Sequence, residues 1–191
     1  MLSKICTNPS LIRSKPDSND MNKTALQIIR YIVLVLLQVL VINHIRLGGY
    51  VHPDLYMIFI MLLPFSTPKW QLLVLGFALG LTVDLFTGTP GLHAGATTLM
   101  AFCRPAIISL ISGNQKFENI PEPNMSQLGG LWFFRYVLCL VLIHHFALFF
   151  LESFSFKLIG QTLLRILLSV PVSIFLIMMI LYIFKSEKRR D

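Results

Sequence analysis

A succession of long apolar runs, almost free of charge, constrains this chain more than any other feature. Between residues 25 and 112 the only acids are Asp54 and Asp84. A hydrocarbon core about 30 Å thick needs about 20 helical residues to cross it. The runs at 26–45, 71–86, 92–111, 131–151 and 158–184 reach or approach that length. A shorter run, 55–65, sits between Pro53 and Pro68. Of the 191 residues 55% are hydrophobic and 13% charged, where a soluble chain carries about 25% charged residues. Too few charges remain to coat a water-facing surface, which argues against a soluble domain, a disordered chain or a secreted disulfide scaffold. The expected fold class is all-α: a polytopic membrane protein of about six transmembrane helices in a compact bundle, one domain over residues 23–187.

The flanks are polar. Residues 1–22 lack hydrophobic periodicity and read as a disordered cytoplasmic tail, with Met21 as an alternative start. No apolar segment with a small-residue cleavage site makes a signal peptide of it. Residues 112–130 read as a polar cytoplasmic loop and 188–191 as a basic cytoplasmic end. With six spans, Lys4, Arg13, Lys15, Lys23, Arg30, Lys69, Arg104, Lys116, Arg135, Lys185, Lys188, Arg189 and Arg190 share one side, and only Arg46 and Lys157 fall on the other. The positive-inside rule then places both termini in the cytoplasm. An 11-residue helix rises only about 16 Å, so the run 55–65 must extend into its flanks or be packed inside the bundle, because unpaired backbone in lipid is costly. Residues 55–86 also admit one kinked or re-entrant unit and five spans or fewer; the charge distribution favours six.

The net charge of +7 is explained by this placement at the chain ends and between apolar runs, and no nucleic-acid partner is expected. Cys6, Cys103 and Cys139 have no metal-ligand spacing, and the latter two read as small core residues.

Few residues invite chemistry. Asp84, at the end of the run 71–86, has three readings: a proton or cation carrier, half of a structural ion pair, or a cap on the turn into the next helix. Arg165, a turn or two inside the last span, is the partner in the ion-pair reading. Gly76 and Gly80 are four apart, a spacing that lets helix backbones approach. Gly88 and Gly91 flank Pro90 in a short turn, where positive φ is easily reached. Together they describe a tight helical hairpin rather than a phosphate-cradling loop. His93 and the pair His144-His145 read as hydrogen-bonding residues, since adjacent helical positions point about 100° apart and cannot easily share one ion; no metal or cofactor is expected. Asn43 and His44 read the same way. Arg104-Pro105 reads as a cytoplasmic stop, with the arginine snorkelling. Ser153 and Ser155 lack the context of a nucleophile.

One order of residues is distinctive: Pro53-Asp54-Leu55 opening an apolar segment, then Gly80-Leu81-x-x-Asp84-Leu85-Phe86-x-Gly88-x-x-Gly91-Leu92-His93-Ala94, then Arg104-Pro105. It resembles MreD, the small polytopic rod-shape-determining family of bacteria. The resemblance implies a non-enzymatic membrane subunit of the cell-elongation complex. Its implied partners are MreC, RodA with its penicillin-binding transpeptidase, and, indirectly, the actin-like MreB, in a surround of membrane lipid. It also implies a fold similar to the substrate-binding subunits of energy-coupling-factor vitamin transporters, which supplies the alternative function. For that alternative, Asn43, His44, Asp84, His93, His144 and Glu152 are the pocket groups. On the resemblance, Asp54, Gly80, Asp84, Gly88, Gly91 and His93 shape the bundle or its partner surface.

Overall fold

A computed structural model describes residues 18–44, 51–113, 120–153 and 159–187. Residues 1–17 of the polar tail, 45–50, 114–119 of the polar loop, 154–158 and the basic end 188–191 lie outside the described residues. Helix α1 spans Ser18–Leu40 and continues into a 3-10 turn at Ile42–His44. After it come the short α2 (Ile58–Met61), α3 (Lys69–Thr87), α4 (Leu92–Ser112), the short α5 (Met125–Leu128), α6 (Gly130–Ser153) and α7 (Ile159–Glu187). The described chain has no strand, and α1, α3, α4, α6 and α7 are each long and apolar enough to cross a membrane. The protein is an all-α, multi-pass membrane protein. Two boundaries differ from expectation. Residues 18–22 are the first turn of α1 rather than tail, and the loop after α4 carries α5, opened by Asn124, whose side chain accepts the Ser126 N–H.

The five long helices expose apolar side chains such as Ile29, Phe77, Phe102, Phe146 and Phe175 on their outer faces. In water that surface would be prohibitive; against lipid tails it is neutral. The interior holds the middle of the segment 51–68. From Leu55 to Met61 no residue is more than 3% exposed. This stretch is not a sixth transmembrane helix. Pro53, Pro64 and Pro68 interrupt helix propagation, leaving one α-helical turn at α2 within extended and turn backbone.

The segment nevertheless traverses the bundle. His52 packs its ring on Phe149, Tyr56 bonds His144, and Met61 is bonded by Tyr136. These three partners follow one another down α6 over thirteen residues, or about 20 Å. Beyond them the Phe65 N–H reaches the Pro121 carbonyl. Among the described residues a broken segment is therefore threaded through the middle of the five long helices.

A broken segment at that depth leaves backbone groups that lipid cannot satisfy. Side chains of the surrounding helices meet them. The His52 and Asp54 N–H groups donate to Ser169 Oγ and Ser173 Oγ, at 3.0 and 3.1 Å. Gln38 accepts the Leu55 N–H at 2.8 Å and donates to the Pro53 carbonyl at 3.2 Å. Tyr136 donates to the Met61 carbonyl at 2.9 Å, and Arg104 donates to the Leu63 carbonyl and, at 2.9 Å, to Tyr136 Oη. Arg104 is 1% exposed, and α4 runs on through Pro105 to Ser112. The expected snorkelling stop is thus corrected: the arginine turns inward because the threaded segment presents carbonyls there.

Candidate functional site

The hairpin of α3 and α4 is built by the glycine–aspartate sequence. A Cβ on Gly80 would lie 2.4 Å from the His93 carbonyl oxygen and 2.5 Å from Ala94 Cα; one on Gly76 would lie 2.9 Å from Ala101 Cβ. The two helices touch backbone to backbone at Gly80. Gly88 ends α3 at φ 70° and Gly91 precedes α4 at φ 87°. Gly91 brings no side chain of its own to cap α4. Asp84 does so from across the turn. Its carboxylate accepts the N–H groups of Gly91, His93 and Ala94 at 3.1, 3.0 and 2.9 Å, the Thr89 hydroxyl at 3.0 Å and the His93 Nδ1–H at 2.9 Å. Helix N-termini leave such N–H groups without partners and carry partial positive charge, so a carboxylate fits there. Of the three readings of Asp84, this geometry is that of the cap.

The Asp84–Arg165 pair is not formed. Arg165 donates to Glu152 at 2.9 Å, and both are partly exposed. Asp84 is held wholly within its hairpin, where the local N–H groups out-compete a cation on α7. Asn43 accepts from Gln38 at 2.9 Å, while His44 and Glu152 are exposed. The pocket groups expected for a transport subunit thus serve separate local structures, except where Tyr56 is flanked by the His93 and His144 rings, at centroid distances of 6.0 and 5.5 Å.

Beneath the hairpin lies a cluster assembled from distant sequence. Asp54 comes from the threaded segment, and His144 and His145 from consecutive positions on α6. Asp54 Oδ2 lies 3.8 Å from His144 Nδ1 and 3.8 Å from His145 Nε2. All three ligating atoms fall within 4.8 Å of one another and their residues are buried. Asp54 Oδ2 and His144 Nδ1 have no hydrogen-bond partner. The remaining polar atoms are tethered: Asp54 Oδ1 accepts from Gln38 at 3.3 Å, His144 Nε2 meets Tyr56 Oη at 2.7 Å, and His145 Nδ1 meets the Val141 carbonyl at 3.0 Å. Thr97 extends the chain, donating to the His93 carbonyl at 2.7 Å and lying 3.2 Å from Tyr56 Oη. A continuous polar path thus joins the cluster to the hairpin.

Reading the histidines as separate hydrogen-bonding residues missed this convergence. The 100° offset between adjacent helical residues is overcome because His144 presents its near nitrogen, Nδ1, and His145 its far one, Nε2. One local signal was available: Ser169 and Ser173 stand four apart, a polar stripe in the apolar middle of α7, and both face the threaded segment. Nothing local links Asp54 to residues some ninety positions away.

The chain gives no significant match to any protein-family model, curated protein or solved structure.

Proposed function

We propose that this protein is a non-enzymatic, multi-pass subunit of the bacterial cell-elongation complex. In this reading it sits in the inner membrane with both termini cytoplasmic. It links MreC, and through it the MreB-type cytoskeleton, to RodA and its penicillin-binding transpeptidase. The observation that carries the reading is the use made of the Gly80–Ala94 signature. Gly80, Asp84, Gly88, Gly91 and His93 together form a rigid hairpin. A signature whose side chains are consumed in architecture suits a scaffold that offers fixed helix faces to partners. Passage of residues 51–68 across the membrane would make the number of crossings even, in keeping with the clustering of basic residues on one side.

The inward-facing set Asp54, Tyr56, His144 and His145 favours a second reading, a substrate-binding subunit of a small-molecule transporter, because polar groups inside a bundle are where such a ligand would be held. A mild-detergent pull-down of the tagged protein from its host, read by mass spectrometry, separates the two. The first reading predicts recovery of MreC, RodA and the transpeptidase. Recovery of a transporter ATPase pair without any wall-synthesis protein would overturn it.

A further inference from the structure

The cluster of Asp54, His144 and His145 has a geometry that hydrogen bonding within the protein does not use up. Asp54 and His144 each have one polar atom tethered and another without a partner, and His145 turns toward the same point a nitrogen that meets a serine hydroxyl. Gln38 holds one carboxylate oxygen of Asp54 and leaves Oδ2. Tyr56 holds His144 Nε2 and leaves Nδ1. The Val141 carbonyl can only accept, so His145 Nδ1 carries the proton and neutral His145 turns a lone pair inward at Nε2. The Ser173 hydroxyl donates into that lone pair at 3.2 Å and would have to turn away for an ion to bind there. Histidines that bind metals characteristically give their second ring nitrogen to a carbonyl or another polar group, which fixes the ring's orientation. Tyr56 Oη can accept as well as donate, so His144 is able to present Nδ1 unprotonated.

We propose that Asp54 Oδ2, His144 Nδ1 and His145 Nε2 bind one divalent transition-metal ion of the zinc type. Two imidazoles and one carboxylate suit zinc and its first-row neighbours and are unsuited to magnesium or calcium, which prefer oxygen ligands. The spacing is close to what such an ion requires. With two separations of 3.8 Å and none above 4.8 Å, a point about 2.5 Å or less from all three atoms exists, and ligand bonds of about 2.0–2.2 Å need only a small contraction. The two unpartnered buried atoms are the independent sign. Burying such groups is costly unless a partner compensates, and an ion would compensate both at once. It would also fasten the threaded segment to α6. This inference stands apart from the choice between scaffold and transporter.

The test uses the full chain in detergent, carrying an affinity tag without histidine. The protein is stripped with a chelator, loaded with zinc or cobalt(II), desalted, and its metal measured by mass spectrometry. About one equivalent per chain is expected for the wild type, and the same for His52→Gln, a nearby imidazole outside the cluster. Asp54→Asn and His145→Gln are expected to retain at least tenfold less. Should either variant fail to elute as a folded species, X-ray absorption on the zinc-loaded wild type decides. Two imidazole nitrogens with carboxylate oxygen at about 2.0–2.2 Å support the site. Less than about a tenth of an equivalent on the wild type, undiminished metal in the folded variants, or a thiolate-bound ion would overturn it.

Discussion

Arg104 and Arg165 are both arginines in membrane-spanning helices, yet they play unequal parts. Arg104 satisfies the carbonyl of Leu63 and positions Tyr136 for that of Met61. Replacing it with Met removes the donor and leaves a buried carbonyl with nothing to bond. A loss of about 3 kcal/mol or more is expected. Arg165 pairs with Glu152 at a partly exposed position, and Arg165→Met is expected to stay within about 1 kcal/mol of the parent. Melting in detergent, followed by reaction of the half-buried Cys103 and Cys139 with a thiol dye, ranks the two. Asp84 belongs with Arg104. Asp84→Ala strips the cap from α4 and leaves three backbone N–H groups without their acceptor, for an expected loss of about 2–3 kcal/mol in the same melt. If Arg165→Met proves as damaging as either, the assignment of structural roles is wrong.

At the scale of the element, the α3–α4 hairpin separates two kinds of glycine. Gly80 has no room for a Cβ against the α4 backbone, whereas Gly88 has open space and only a left-handed φ to accommodate. Gly80→Ala must push two helices apart and is expected to cost about 3 kcal/mol. Gly88→Ala should cost about 1–2 kcal/mol. The same melt should therefore put Gly80→Ala clearly below Gly88→Ala; equal losses would mean that the helices are not in backbone contact. This hairpin was the most legible part of the sequence because it is local: its glycines, its aspartate and the N–H groups it caps all lie between Gly76 and Ala94. The threaded segment was legible in part. Its short length and flanking prolines pointed to a buried element, but the breaking of its helix depends on donors and acceptors that arrive from α1, α4, α6 and α7. Arg104 misled for the same reason. Position at the end of an apolar run cannot distinguish an arginine that snorkels outward from one that caps an inner carbonyl, and the Ser169–Ser173 stripe, the local trace of the Asp54–His144–His145 convergence, does not say which residues it faces.

At the scale of the whole molecule, the central claim is that the chain crosses the membrane six times although it has five long spanning helices, because residues 51–68 pass through the bundle interior. The claim has energetic support, since each backbone group named above finds a partner in a neighbouring helix or loop. It also has a topological consequence: His52 and Ser66, both exposed and only fourteen residues apart, lie at opposite ends of the bundle. The most direct measurement is labelling with a membrane-impermeant maleimide, in intact cells and in inverted vesicles, of single cysteines placed at His52 and at Ser66 in a chain whose Cys6, Cys103 and Cys139 are replaced. The account predicts that the cysteine at 52 reacts from the outside and the one at 66 only from the cytoplasmic side, together with a third control cysteine at Glu122. Reaction of 52 and 66 from the same side would make the segment a re-entrant loop and contradict the account.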